Sequence, residues 1–394
     1  MRGSLRDIYF GRGSATLLGV AMALLVLSGC NTVGPKALRG GRIDYNSAIA
    51  YTAKEQLLLN LVRARYGEAP LFLEVSSVST QYNLALGAEI NPLWERSGIR
   101  SATRTVTSAG AATLTRNRRP STDDEYKHNA NINYYERPTI SYAPLQGEAF
   151  VRNIMSPIPA DALILLSESG WSLQRIMLIC VQRLNGLPNA PSASGPTPSY
   201  VPRYTEFAEM ARLMREMQLA HGMVAVSHEV DGGRGVAIKI AEHIQQTPMA
   251  TEWKKLLGLP DDQFEFPLVF AWEAPEAEHL AIQTRSMYGV LSFLSNGVEV
   301  PEAHMEAGWV TDTRTESGEP FDWDKVTGDV IHIRSSATRP HDASVSVRYE
   351  GAWFYIAKSD VNSKSTFTLI SLLFNLQSGD VNLTRPTLTL PVGG

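Results

Sequence analysis

Nucleophilic, metal and phosphate chemistry each need particular residue types at particular spacings, and this chain offers few such groupings. Its two cysteines are Cys30 and Cys180. Cys180 lies in the apolar stretch 171–181 with no His or Lys beside it, so it reads as a buried, inert thiol rather than an activated nucleophile. His221 and His228 are the closest histidine pair, but no His-Glu-x-x-His motif and no third ligand accompany them, and no metal site is expected. Gly232-Gly233-Arg234-Gly235 lacks the Lys-Ser/Thr ending of a P-loop and reads as a hairpin turn. Ser167-Glu168-Ser169-Gly170 lacks the leading glycine of a nucleophile elbow and reads as a helix end. Ser363-Lys364-Ser365-Thr366 has the composition of a Ser-Lys pair. Hydroxyls placed ahead of Phe367, Leu369 and Ile370 are also what a helix start looks like, because their oxygens accept from unpaired backbone N–H groups. Asp261-Asp262 and Asp322-Trp323-Asp324 read as solvated loop carboxylates. No catalytic residue and no cofactor is expected. The remaining grouping is a binding one: on a strand, Trp353 and Tyr355 share one face while Phe354 takes the other. Arg348, Trp353 and Tyr355 are therefore the candidate ligand or partner surface, able to line a carbohydrate or peptide groove.

The elements that must position these residues follow from periodicity. Ile49, Ala53, Leu57, Leu61 and Ala64 recur at helical spacing and predict a helix over 46–66, stopped by Gly67; 71–78 reads as a strand. From 80 to 145 the composition shifts to Ser, Thr, Ala, Asn and Tyr, which predicts β-ribbons around an exposed polar loop at 116–125. Helices are predicted over 147–155, 160–168 and 172–185, and the Pro/Ser-rich segment 188–202 reads as a linker or long loop. Beyond it, Phe207, Met210, Met214 and Met217 stripe a helix over 203–220, a pattern of core packing rather than of a soft-metal site. Strands over 223–229 and 235–240, a helix around 251–257, a strand at 266–272 and a helix over 284–294 come next. An irregular 300–325 leads to strands at 330–334 and 343–356, a helix over 363–376 and a last strand at 387–390. The fold class expected is α+β, with mixed helices and mainly antiparallel sheets.

The amino terminus carries the most specific signal. Arg2, Arg6 and Arg12 give a positive start, and Ala15 to Leu27 is an apolar stretch too short to cross a bilayer of about 30 Å. Leu27-Ser28-Gly29-Cys30 follows directly and resembles the lipobox of bacterial lipoproteins. The resemblance covers only these first residues. It implies cleavage between Gly29 and Cys30, diacylglycerol on the Cys30 sulfur and an acyl chain such as palmitate on the new amino terminus. Two or three such chains hold a soluble body on a membrane, at about 0.8 kcal/mol per buried methylene. The residue after the cysteine is Asn31 rather than the Asp that retains enteric lipoproteins in the inner membrane, so the outer membrane is expected, with the body facing the periplasm.

The domain reading is a signal peptide 1–29, a lipidated tether 30–44, and an N-terminal α+β domain 45–187 bearing the ribbons at 80–145. The linker 188–202 and a C-terminal α+β domain 203–394 follow. With 44% hydrophobic and 19% charged residues in 394 and a net charge of -4, the chain has globular composition, and no nucleic-acid partner is implied. The expected function is non-enzymatic: a structural or accessory subunit of an envelope assembly or transport complex, its partners the membrane, an envelope protein complex or further copies of itself. Two readings compete with it. Secretion-channel lipoproteins pool hairpins into one pore, and the ribbons resemble such hairpins in composition, although Thr105 to Thr115 offers only Val106 and Leu114 as a lipid-facing set. An envelope hydrolase or carbohydrate-binding protein with a site assembled from distant residues is the other.

Overall fold

The structure is a computed structural model that describes residues 42–90, 103–106, 112–115, 128–190, 201–230, 233–271 and 278–378. The signal peptide, Gly29 and Cys30, the loop 116–125, most of the 188–202 segment, the hairpin tip at 231–232 and the expected last strand lie outside the described residues.

Helix α1 (residues 42–65) buries Leu57, Leu58, Leu61 and Val62, while 42–54 is largely exposed. It is stopped by Gly67, whose φ of 77° suits a residue without Cβ. Two α1 amides then imitate a neighbouring strand. Asn60 donates to Leu71 O at 2.8 Å and accepts from Leu71 N at 3.0 Å, and Gln56 donates to Leu73 O at 3.1 Å and accepts from Leu73 N at 2.7 Å. There strand β1 (Phe72–Ile90) begins. Strands β2 (Thr103–Val106) and β3 (Ala112–Thr115) form a short antiparallel hairpin, and β4 (His128–Leu145) pairs with β1. Val75–Ala143 forms a compact unit of its own.

Among the described residues the larger unit combines 42–74 with those from 144 to 378. Helices α2 (Glu148–Met155), α3 (Ala160–Glu168) and α4 (Leu173–Cys180) lead into strands β5 (Val181–Leu184) and β6 (Leu187–Pro188). Helix α5 (Thr205–Leu219) precedes the hairpin β7 (Met223–Val230) and β8 (Gly233–Ile240), helix α6 (Pro248–Leu256), and strands β9 (Glu265–Phe270) and β10 (Leu280–Thr284). One sheet of six strands, ordered β6-β5-β10-β9-β8-β7, results, antiparallel except where β9 meets β10. Register places Leu184, Ile282, Leu268, Ile238 and Ala225 on one face, with Phe266, Leu280, Ile240 and Met223 in the same parity. The helices cover that apolar face. In α5 the methionine stripe is core: Phe207, Met210 and Met217 are fully buried.

Helix α7 (Met287–Leu294), the short α8 (Glu302–Glu306) and α9 (Asp324–Thr327) lead to strands β11 (Arg334–Ser336), β12 (Ala343–Tyr349) and β13 (Ala352–Ala357), which form a sheet in the order β11-β13-β12. Helix α10 (Val361–Ser378) follows and opens on Asp360, whose Oδ1 accepts from Ser363 N at 2.9 Å. The class is α+β with mainly antiparallel sheets, as its periodicities imply.

Four expectations are corrected. The helix predicted over 172–185 ends at Cys180 and becomes β5. Asn185 (φ 48°) and Gly186 (φ 80°) are then the two left-handed residues of a tight β5–β6 turn, the geometry an Asn-Gly pair favours. The helix predicted from 284 starts only at Met287, because 280–284 is the buried strand β10 and Ser286 caps the helix by accepting from Gly289 N at 3.0 Å. The strand predicted at 330–334 begins at Arg334; Ile331 instead closes onto Thr327 O at 2.7 Å and Ile333 donates to Gly297 O at 2.8 Å. Finally, 188–202 does not divide the packing. Strands β5 and β6 ahead of it share a sheet with β10, β9, β8 and β7 beyond it.

The α4–β5 junction holds because every carbonyl of the last helical turn finds a partner, three of the four from distant residues. Met177 O accepts from Val181 N, and Cys180 O accepts from Arg285 N at 2.7 Å. The fully buried Arg285 guanidinium donates to Leu178 O at 2.7 Å, Ile179 O at 2.9 Å and Ala190 O at 2.6 Å, and lies 4.1 Å from the Phe293 ring centroid. Burial lowers its pKa to about 9, so it remains a cation at neutral pH. The same burial pushes the Cys180 thiol up to about 12, against the opposing pull of Arg285. A thiol reagent at pH 8 is therefore expected to leave Cys180 unmodified in the folded chain and to label it after unfolding; rapid labelling of the folded protein would contradict this burial.

Candidate functional site

The strands β11, β13 and β12 bring together the residues singled out from sequence. Arg348 and Ser336 both stand opposite Trp353, and Arg334 stands opposite Tyr355, so these residues share one face. Phe354, Ile356 and Val345 occupy the other and are buried, the parity that the alternation at 353–355 implies. Trp353 and Tyr355 are half-buried, whereas Arg334, Arg339 and Arg348 are exposed. Sequence spacing gave no hint of Arg339, whose guanidinium carbon stands 5.4 Å from the Trp353 ring centroid. The face thus offers guanidinium forks, suited to carboxylate or phosphate oxygens, beside a flat apolar surface. That is recognition chemistry.

The other groupings resolve into structural roles. Ser363 and Lys364 each bond to other groups. Ser363 Oγ donates to Asp360 Oδ2 at 2.5 Å and accepts from His332 N at 2.8 Å, while Lys364 Nζ donates to Lys358 O at 2.6 Å. Ser169 ends α3, and Gly170 takes a φ of 90° there. Asp322 Oδ1 accepts from Asp324 N at 3.1 Å, and the buried Trp323 donates to Thr313 Oγ1 at 3.2 Å. His221 is exposed at the α5–β7 turn with a φ of 51°, and residue 228 lies in β7. Among the described residues no group of three or more His, Cys, Asp or Glu side chains could hold a metal ion.

One cluster was invisible to spacing arguments because its members are far apart in sequence. Tyr66 bonds His304 Nδ1 at 2.6 Å and meets the rings of Tyr349 and Phe354 edge-on, and Tyr349 donates to Glu68 Oε1 at 2.8 Å. Burial raises the Tyr66 pKa to about 12. At neutral pH it is therefore a phenol, which donates to Nδ1 in one His304 tautomer and accepts from it in the other. These groups satisfy one another and fasten the end of α1 to β12 and β13.

In the smaller unit, β1 is 19 residues long and β4 is 18. Each pairs with the other alone among the described residues. From 78 onward the β1 sequence alternates: Val78, Thr80, Tyr82, Leu84, Leu86, Ala88 and Ile90 fall at one parity, against Ser77, Ser79, Gln81, Asn83, Ala85, Gly87 and Glu89 at the other. In the β4 sequence, Ala130, Ile132, Tyr134, Pro138, Ile140 and Tyr142 alternate with Asn129, Asn131, Asn133, Tyr135, Arg137, Thr139 and Ser141; Glu136 interrupts the apolar set and Tyr135 the polar one. Ile140 and Tyr142 are large apolar groups that are 41% and 60% exposed. No helix among the described residues is long and apolar enough to cross a membrane.

Compared with models of protein families, with curated proteins and with solved structures, the chain matches none.

Proposed function

We propose that this chain is a lipid-anchored protein of the bacterial outer membrane, a structural subunit whose copies assemble by pooling the β1–β4 hairpin into a shared membrane β-barrel. The observation that carries the reading is the two-residue alternation of β1 and β4. An isolated two-stranded ribbon is marginal in water, and its unpaired edges invite further strands. A barrel answers both problems, since neighbouring hairpins pair the edges and the hydrocarbon covers the apolar face. The alternating part of β1, residues 78–90, extends about 43 Å at roughly 3.3 Å per residue, enough to cross an apolar band of about 25 Å at a tilt of about 40°. Tyr82, Tyr134 and Tyr142 in the apolar sets are the residue type that lines barrel interfaces. Lipid on Cys30 would hold each copy at the membrane, and no catalysis is invoked.

The test is the mass and conductance of the purified, lipidated chain. A discrete oligomer giving stepwise conductance in planar bilayers is expected; a monomer that never conducts would sink the reading. A second reading, an accessory subunit docked on an acidic envelope partner, is favoured by the Arg334, Arg348 and Trp353 face. It predicts crosslinks from that face to another envelope protein that Arg348→Ala with Trp353→Ala abolishes.

A further inference from the structure

A cavity of about 370 Å³ lies between the apolar face of the six-stranded sheet and helices α3, α4 and α5, a size within the range of small-molecule sites. Its walls are apolar, with Leu163, Ile176, Met177, Met214, Leu280 and Ile282 prominent. The cavity opens to the surface, since the exposed Glu168, His221 and Val224 are among its lining residues. Polar groups gather on one side of it: Ser167 and Glu168 at the end of α3, Gln218 near the end of α5, and His221 just beyond. Gln218 is engaged, donating to Trp171 O at 2.9 Å and accepting from Leu173 N at 3.0 Å. Glu168 and His221 are exposed and are in no ion pair among the described residues. Trp253 on α6 also contributes to the wall. It is fully buried, and its indole N–H has no acceptor among the described residues. A buried N–H left unpaired is costly, so an acceptor that the described residues do not supply is called for.

We infer that this cavity binds a single-chain lipid with a zwitterionic head. The aliphatic tail fills the apolar space, an ester oxygen accepts from Trp253 Nε1, and the ammonium and phosphate of the head meet Glu168 and His221 at the polar side. An isolated fatty-acid carboxylate suits the site less well, because it would face Glu168. The inference stands on the cavity and does not depend on the barrel reading.

The experiment uses the full-length chain exchanged from detergent into an amphipol, with lysophosphatidylethanolamine bearing a brominated acyl chain as the probe. Saturable quenching of tryptophan fluorescence is expected, and Trp253→Phe, which keeps an aromatic ring but removes the N–H, is expected to weaken binding of the radiolabelled probe several-fold. Filling the cavity with Ile176→Trp is expected to weaken binding at least tenfold, measured with a radiolabelled probe. Ile282→Phe is the second filling variant should the first fail to fold, and folding is checked by protection of Cys180 from thiol reagents. Glu168→Gln is expected to weaken the zwitterionic probe several-fold and to improve binding of brominated palmitate. Quenching that does not saturate, equal affinity in a folded filled variant, or tighter binding of palmitate than of the lysolipid to the parent chain would each overturn the inference.

Discussion

Arg285→Ala is expected to lower the stability of the larger unit by roughly 3–6 kcal/mol, the largest loss anticipated for any single side chain in the core. The substitution orphans the carbonyls of Ile179 and Ala190, each a buried acceptor whose loss costs about 1–3 kcal/mol. It also removes the cation from the Phe293 ring and opens space beside a close-packed helix end. Leu178 O is less affected, because Asn189 Nδ2 also donates to it at 3.0 Å. Arg285→Lys should fall between parent and alanine variant. A single ammonium keeps the charge at the helix C-terminus but cannot reach three carbonyls spread over two chain segments with the geometry of a guanidinium. Guanidinium-chloride unfolding followed by tryptophan emission decides the matter. If the alanine variant unfolds within about 0.5 kcal/mol of the parent, Arg285 is not what ends α4.

The second large effect concerns the ribbon. Leu84→Arg puts a charge into the apolar set of β1, and at the middle of a membrane such a charge costs about 2–4 kcal/mol in every copy. In an assembly the cost repeats with each subunit, so oligomeric, conducting protein should disappear. Asn83→Arg, one residue away on the opposite face, should leave assembly intact and alter only conductance or ion preference. The pair separates a role for the face from a role for the position. Loss of assembly in both variants, or in neither, would remove the alternation as the basis of the proposed barrel.

Much of this fold can be read from spacing. The helical repeat from Ile49 to Ala64, the methionine stripe of α5 and the parity that turns Phe354 inward while Trp353 and Tyr355 turn outward are all local patterns, and the structure follows them. What spacing cannot reach is chemistry supplied from afar. Nothing near Cys180 says that its helix stops there, because the group that satisfies the last turn comes from Arg285, 107 residues beyond Leu178. The Tyr66–His304 contact joins residues 238 apart, and Arg339 reaches Trp353 from a loop. Two local signals were available and easily passed over. Asn185-Gly186 is a hairpin pair that a run of helix-forming residues conceals. The alternation in 78–90 is hidden when the ribbons are judged by composition, since Ser, Asn and Gln rather than charges make up its polar half. Residues 105–115 are also not the strands the proposed barrel would use, because β2 and β3 there are short and the long strands lie on either side.

The fastening of α1 carries a consequence for timing. Tyr349, which donates to Glu68, stands 281 residues later in the chain. At a synthesis rate of about 5–20 residues per second, roughly 15–60 s separate the emergence of the two partners. A chain exported amino terminus first would have both its ribbon strands in the periplasm before the residues that complete the larger unit arrive, a window in which neighbouring unfinished chains could pair their edges wrongly. On the proposed export and assembly, periplasmic holdases that shield exposed strands during that interval are expected to govern the yield of correctly built protein, and depleting them should lower assembled material more than it lowers total synthesis.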